Sequence, residues 1–274
     1  MRTMVIQGGT DGMGRALALA YLRRGERVVI LGRDVKKGKA LLDSAREMGA
    51  DDRAFFLKAD LALVAENRRV IEHIRENFPV VDALVLCARH YSSVRRQTSE
   101  GFERTFALFY LSRFLLSHGL AGELEKAERP VVMNVAGPGT PMGRVHWDDF
   151  GLARGYDGVE ALNQGGKAND LLGVSFAERH ATGRIRYVLI NPGSVSTSFS
   201  GDYDAETAAH IEMMKKFGKP VEQGIVPIAA LIDAPPAARL SAYAESRPIG
   251  LGHPSFDPGD AARLHEATET MLGR

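Results

Sequence analysis

The chain contains a single cysteine, Cys87, among its 274 residues. One cysteine excludes an internal disulfide and a cysteine-rich metal site, so we predict no metal and a reducing compartment. No apolar run approaches the ~20 residues that span a bilayer, and the N-terminus lacks the apolar segment of a signal peptide. We therefore expect a cytoplasmic protein with no membrane partner.

An excess of charge of one sign is also missing. The 35 basic and 34 acidic residues leave a net charge of +1, which disfavours nucleic acid as a partner. No Pro/Ser-rich linker, repeat or low-complexity run divides the chain. With 45% hydrophobic residues, the composition predicts one domain over residues 1–274, with a small molecule as its substrate or ligand.

Short β-rich runs alternate with amphipathic helical segments along the chain. Several runs are apolar without alternation, which is typical of strands covered on both faces. The order predicts an α/β fold, a doubly wound parallel sheet of the Rossmann type flanked by helices, with ligands at the carboxyl ends of its strands. Predicted strands are 3–7, 27–31, 54–58, 81–87, 130–135 and 184–190, and predicted helices are Arg15–Arg24, Val35–Met48, Val64–Phe78, Gly101–Gly119 and about Val159–His180.

The first strand–helix junction carries the strongest motif. Gly8, Gly12 and Gly14 lie in MVIQGGTDGMGRALALAYLRRGERVVILGRD, between a strand and a helix. Glycines there let the backbone turn tightly and approach a pyrophosphate, whose charge the helix N-terminus stabilises. The position within a strand–helix–strand unit therefore predicts a dinucleotide site.

The G-x-x-x-G-x-G spacing resembles the short-chain dehydrogenase/reductase superfamily, and the resemblance runs the whole length. Asp60-Leu61 resembles the family's adenine-contacting pair, Asn134-Val135 ends the fifth strand as expected, and NPGSVSTSF (191–199) matches the segment that borders the nicotinamide. Segments 145–151, 167–180 and 257–273 resemble the branch with retinol-dehydrogenase-like and protochlorophyllide-reductase-like members.

The resemblance implies a nicotinamide cofactor. Arg33 follows the second strand, where a basic residue pairs with the 2′-phosphate of NADP and an acidic one binds the ribose of NAD. We expect NADP(H) rather than NAD(H), although Asp34 offers the alternative. The cofactor-binding residues implied by the family pattern are Gly8, Thr10, Asp11, Gly12, Met13, Gly14, Arg33, Asp34, Asp60, Leu61, Ala88, Pro192, Gly193, Val195 and Thr197.

The catalytic pattern of the family is missing. The family uses a tyrosine as proton donor, a lysine at i+4 that lowers the pKa of that tyrosine, an orienting serine and a supporting asparagine. Here the serine position is Gly137 and the asparagine position is Phe109. The glycine expected after the fourth strand is Arg89.

The stretch ALNQGGKAND (161–170) covers the tyrosine and lysine positions. Aligned on Ala161, Gln164, Ala168 and Asn169, the tyrosine position is Leu162 and the lysine position is Gly166. Aligned on Lys167 as the family lysine, the tyrosine position is Asn163. The first register keeps more identities, and neither supplies a tyrosine.

The catalytic residues are therefore unknown from the sequence. Weak candidates are Tyr156, His146 and Lys167, and His146, His90, Tyr91 and Tyr110 lie where substrate-facing residues are expected. Thr140 is a weak candidate to replace the hydroxyl of the missing serine. Residues 198–225 resemble the family's variable substrate lid.

Three functions stay open. The first is an atypical NADP-dependent oxidoreductase of the superfamily. The second is a non-redox enzyme, such as a cyclase or isomerase, on the same fold. The third is a non-catalytic homologue that senses a nucleotide or binds a partner, as a homodimer or as a heteromer with an active paralogue.

Overall fold

A computed structural model describes residues 1–273. Its main sheet has the strand order β10-β9-β7-β6-β4-β1-β2-β3, and β5 pairs with β8 outside it. All neighbours in the main sheet are parallel except β9 and β10, which confirms the predicted doubly wound architecture. The strands are β1 Thr3–Gln7, β2 Arg27–Gly32, β3 Ala54–Lys58, β4 Ala83–Leu86, β5 Tyr91–Ser92, β6 Val131–Val135, β7 Arg186–Asn191, β8 Gly201–Asp202, β9 Leu240–Ala244 and β10 Arg247–Ile249.

Helices cover both faces of the sheet. Helices α1, α2 and α10 pack on one face, and α3, α5, α7 and α11 pack on the other. Strands β1, β4 and β6 are buried throughout because both faces are covered. The helices are α1 Gly12–Arg23, α2 Val35–Glu47, α3 Val64–Asn77, α4 Arg104–Phe106, α5 Ser112–Gly119, α6 Ala121–Glu125, α7 Gly158–Arg179, α8 Ala205–Phe217, α9 Val221–Gly224, α10 Val226–Asp233 and α11 Pro258–Met271.

The predicted helix Gly101–Gly119 was wrong at its start and in its interior. Gly101 has φ +90° and closes a turn, and α4 begins only at Arg104. Glu103 caps that start, because its carboxylate accepts hydrogen bonds from the amides of Thr105 (2.8 Å) and Phe106 (2.7 Å). A π-helical turn, Ala107–Leu111, then links α4 to α5.

Helix α5 has hardly any free surface. Its residues 112–117 are all buried, which for an amphipathic helix on a protein surface would be impossible. Helix α11 packs along α7, whose residues 168–176 are likewise buried without a break. Within residues 1–273, no helix combines the length and the apolar character needed to cross a membrane.

Candidate functional site

A cavity of about 770 Å³ opens at the carboxyl ends of the parallel strands. Its wall is formed by the loops that follow β1, β2, β3, β4, β6 and β7, together with parts of α7 and α8. Every residue that the family pattern assigned to the cofactor lies in this wall, from Gly8 after β1 to Thr197 after β7. The fold therefore brings together, in one place, residues that are almost 190 positions apart in sequence.

The turn after β1 has no room for side chains. A Cβ on Gly14 would lie 2.3 Å from the carbonyl oxygen of Gly8, and a Cβ on Gly8 would lie 2.9 Å from the main-chain N of Ala88. Gly8 also has φ +75°, which glycine adopts without strain. Helix α1 starts at Gly12 directly after this turn, so the turn and the helix N-terminus form a cradle that fits a pyrophosphate.

The loop after β2 places one cation, Arg33, at one end of the cavity. The side chain of Arg33 is exposed and makes no ion pair within residues 1–273. Asp34 instead caps α2, since its carboxylate accepts hydrogen bonds from the amides of Lys36 (2.9 Å) and Lys37 (3.1 Å). The free charge at this end is therefore basic.

Lys37, which the sequence analysis missed, forms an ion pair with Asp11. Asp11 also accepts hydrogen bonds from the amide of Gly12 (2.7 Å) and the hydroxyl of Ser198 (2.8 Å). Burial acts to raise the pKa of Asp11, but the bonds from Lys37, Ser198 and Gly12 outweigh it and lower the pKa overall. The VKKGK run after Arg33 was the available signal for this second cation.

Asp60 lies after β3 at the same end of the cavity. Its carboxylate accepts hydrogen bonds from the amide of Ala62 (3.2 Å) and from the guanidinium of Arg104 (3.0 Å). Those bonds fix the loop in which Leu61 also lines the cavity.

At the opposite end, Leu162 and Phe109 line the cavity wall. In the part of the chain that the structure describes, Asn163, Gly137, Gly166 and Lys167 do not line it. Lys167 points elsewhere, because its ammonium donates a hydrogen bond of 2.7 Å to the carbonyl oxygen of Pro254. The geometry therefore favours the register in which Leu162 occupies the tyrosine position.

The two adjacent glycines of α7, Gly165 and Gly166, have different surroundings. A Cβ on Gly165 would lie 2.4 Å from Cδ1 of Phe109, so the ring of Phe109 requires a glycine there. A Cβ on Gly166 would meet no atom within 4 Å, although Gly166 itself is buried. An open space thus exists at position 166, whereas position 165 is filled by the residue in the asparagine position.

Behind this end of the cavity lies a buried cation, Arg113, that the sequence analysis did not identify. Its guanidinium carbon lies 4.5 Å from the centroid of the Phe109 ring. The signal was an arginine within the otherwise apolar helix FALFYLSRFLL (106–116). Asn169 lies close by and donates a hydrogen bond of 2.8 Å to the carbonyl oxygen of Phe109, which the π-helical turn leaves accessible.

Three of the weaker candidates lie outside the cavity. The predicted substrate-facing position of Tyr110 was wrong, because this residue is buried and its hydroxyl contacts that of Thr268 (2.7 Å). Tyr156 donates to the carbonyl oxygen of Ser92 (3.1 Å), and His146 bonds to Glu160 in a separate surface depression.

Other polar residues do line the cavity. His90 and Tyr91 are in the wall, as is Cys87. Burial raises the pKa of Cys87 to about 12, so its thiol is protonated at neutral pH and is no nucleophile. Thr140 is not in the wall, and its hydroxyl donates to the carbonyl oxygen of Gly137 (2.6 Å).

The segment after β7 covers the cavity mouth. Strand β8 pairs in parallel with β5, and the rings of Tyr91 and Tyr203 stack with centroids 5.5 Å apart. Tyr203 and one side of α8 face the cavity, including His210 and Met214. Met213 is exposed instead, so the two adjacent methionines have different roles.

The chain matches the family "short chain dehydrogenase" over residues 2–153. It is 30% identical over 277 residues to "Putative daunorubicin C-13 ketoreductase DnrU" of Streptomyces sp. (strain C5), which covers 99% of this chain and 93% of that protein. It is 24% identical to retinol dehydrogenase 14 of Homo sapiens, over 99% of this chain and 86% of that protein. The chain therefore belongs to the short-chain dehydrogenase/reductase family of oxidoreductases.

Solved structures agree with this fold. A short-chain dehydrogenase from Sphingobium yanoikuyae in complex with NADPH superposes with a TM-score of 0.66 at 19% identity, covering 100% of this chain and 96% of that one. An alcohol dehydrogenase from Thermococcus sibiricus complexed with 5-hydroxy-NADP gives 0.66 at 18%, covering 91% and 100%.

Proposed function

We propose that this protein is an NADP(H)-dependent oxidoreductase that works without the tyrosine–lysine pair of its family. One observation carries the proposal. The turn after β1 leaves space for a pyrophosphate against its main chain. At the other end of the cavity, Leu162 forms the wall at the tyrosine position, and Gly166, one helical turn later, has no side chain.

The choice of NADP(H) rests on the charges after β2. Arg33 has no ion-pair partner in residues 1–273, whereas Lys37, also in the cavity wall, is paired with Asp11. The unpaired guanidinium suits a 2′-phosphate, and Asp34 is occupied in capping α2. Structural relatives crystallised with NADP or NADPH support the same choice.

The missing proton donor restricts the substrate. The cofactor, when bound, supplies a hydride equivalent, and reduction of an ordinary ketone also needs a proton at the carbonyl oxygen. Leucine and glycine supply none. We therefore propose a substrate that is already activated, such as a polarised C=C bond or an iminium ion, with any proton coming from solvent or from the substrate.

We also propose that residues 1–274 act as one nucleotide-binding domain with residues 198–225 as its lid. The β5–β8 pairing and the Tyr91–Tyr203 stack support this role, since they connect the lid to the loop after β4 across the cavity. The pair lies outside the main sheet, so opening of the lid would leave the main sheet intact.

The packing of Phe109 favours a second candidate, a non-catalytic homologue that senses NADP(H) or binds an active partner. Phe109 fills the place of the asparagine that supports proton relay, and Gly165 is adapted to it. The π-helical turn and α7 thus pack together through a phenylalanine where the family has its asparagine. Such packing is expected if catalysis is no longer needed.

Titration with NADPH followed by turnover assays separates the two candidates. We expect tight NADPH binding and no oxidation of NADPH by simple ketones or aldehydes, with oxidation by activated alkenes or iminium ions. Turnover of simple carbonyls at rates usual for the family would contradict the proposal. Binding of NADPH without oxidation by any class, together with stable co-purification of another reductase, would instead support the non-catalytic candidate.

A further inference from the structure

Arg113 is the largest fully buried side chain, and its charge has no opposite charge beside it. Its exposure is 0%, and within residues 1–273 no carboxylate forms an ion pair with it. Its Nη atoms donate hydrogen bonds to the side-chain oxygen of Asn134 and to the carbonyl oxygens of Val135 (2.9 Å) and Ala88 (2.9 Å). Its Nε is buried without a hydrogen-bond partner.

The guanidinium stays charged in this position. Burial lowers the pKa of Arg113 to about 10, which still leaves it protonated at pH 7. Burying a charge without a counter-charge is costly, and a methionine or leucine would fill the same volume without that cost. Packing alone therefore does not account for an arginine here.

The groups around Arg113 belong to the cavity wall. Ala88, Val135 and Phe109, which it contacts, all line the cavity. The positive charge consequently lies one layer of protein behind the wall, at the end of the cavity that also contains Leu162. Water and salt do not reach the guanidinium, so they screen its field only weakly.

We propose that Arg113 makes the site prefer the reduced cofactor. The inference rests on the proposed binding of NADP(H) with its nicotinamide toward Leu162. The nicotinamide ring carries a positive charge when oxidised and none when reduced. A fixed cation behind the wall repels only the oxidised form, so it weakens NADP⁺ binding relative to NADPH binding. The free protein is then loaded with NADPH in preference to NADP⁺, and the oxidised cofactor is released more easily.

The test measures dissociation constants for NADPH and NADP⁺ at fixed ionic strength in the wild type and in R113Q, R113M and R113K. One unit charge acting through a layer of protein changes an equilibrium constant by roughly fivefold to thirtyfold. The ratio of the NADP⁺ constant to the NADPH constant should fall by that factor in R113Q and R113M and stay close to wild type in R113K.

Arg75 provides the matched control. It also donates to a main-chain carbonyl, that of Gly119 (2.6 Å), but it lies on α3 outside the cavity wall. R75Q should leave the ratio unchanged. A purely structural role of Arg113 predicts that R113Q and R113K both lose stability while the ratio stays constant, and that result would overturn the inference.

The wild type alone also tests the idea, should the neutral variants fail to fold. It should bind NADPH at least about fivefold more tightly than NADP⁺, and equal affinities would refute the role of Arg113. Binding of neither form by the wild type would refute the proposed function instead. The two failures are therefore distinguishable.

Discussion

The two ends of the cavity are built in different ways. At the end formed by the loops after β1 and β2, the constraints lie in the main chain, where atoms of Gly8 and Ala88 leave no space for a Cβ. At the end formed by α7 and the π-helical turn, the constraints lie in side chains, with Phe109 seated on Gly165. The first end accepts almost no substitution, whereas the second is determined by how a few side chains pack.

This difference explains how a chain can keep one function of a fold and change another. A phosphate cradle made of main-chain groups depends on backbone geometry that the whole sheet supports. Proton delivery depends on three or four individual side chains, and each can be replaced if its neighbours adapt. Gly165 is matched to the ring of Phe109 in this way, and the space at Gly166 is open.

The largest expected effect comes from closing the cradle. In G14A the new methyl group would clash with the carbonyl of Gly8, so we expect NADPH affinity to fall by at least ~100-fold, measured by fluorescence titration. G122A is the control, because a Cβ there meets no atom within 4 Å. Unchanged affinity in G14A would show that the dinucleotide does not bind at this turn.

Removing the unpaired cation at the same end should have a smaller and more selective effect. We expect R33A to weaken NADPH binding by roughly 10- to 100-fold, the loss of a charge-assisted contact, while NADH binding stays the same. K36A, in the first turn of α2 and outside the cavity wall, should change neither. Equal losses for NADPH and NADH would argue against recognition of the 2′-phosphate by Arg33.

Asp170 on α7 should make the stability of the protein depend on pH. Burial raises its pKa to about 7, although the amide of Gly139 donates to it (2.9 Å) and acts in the opposite direction. A carboxyl whose pKa is raised on folding destabilises the protein as pH rises from about 4 to about 7, because ionisation is then easier in the unfolded chain.

We therefore expect D170N to be more stable than the wild type by about 4 kcal/mol at pH 8, with the difference shrinking as the pH falls toward 4. Thermal unfolding at several pH values measures this. D51N, at an exposed aspartate, should show no such trend. A constant difference across the pH range would mean that Asp170 titrates normally.

The contact between Phe109 and Gly165 should be visible as coupling. G165A places a methyl group against the ring, and we expect a loss of about 1–2 kcal/mol in unfolding free energy. In the F109N background, where the ring is absent, adding G165A should cost little further unfolding free energy. If G165A costs the same unfolding free energy in both backgrounds, the two residues do not interact.

The smallest expected effect is that of restoring one side chain. L162Y should leave ketone reduction undetectable, because positions 166 and 137 would still lack the lysine and the serine. The triple variant L162Y/G166K/G137S should show measurable turnover, since neither glycine position is sterically blocked. Full activity in L162Y alone would show that the remaining machinery is present elsewhere.

The sequence predicted the sheet and the cradle well for a physical reason. Buried strands and glycine turns leave strong local patterns, and every predicted cofactor residue lies in the cavity wall. The starts of helices and the strands at the sheet edge were harder to predict from the sequence. The cap of Glu103 overrides the helical pattern from Gly101, and β10 is a short, exposed strand with a proline.

The side-chain packing at the α7 end of the cavity could not be predicted from the sequence, because its contacts join residues that are far apart in the chain. Nothing local in GG at 165–166 indicates that one glycine faces Phe109 and the other faces open space. Tyr110 was misplaced for the same reason, since Thr268, from the C-terminal helix, holds its hydroxyl. The guanidinium of Arg113 contacts residues that follow two different strands.

The burial of α5 along residues 112–117 and the packing of α11 against α7 also bear on assembly. Two copies of the chain could meet through these helices only if the C-terminal helix first moved away, which would expose Leu264 and Ala261 to water. A dimer of this protein, or a complex with a paralogue, is therefore expected to form on a different face. Cross-linking would locate that face.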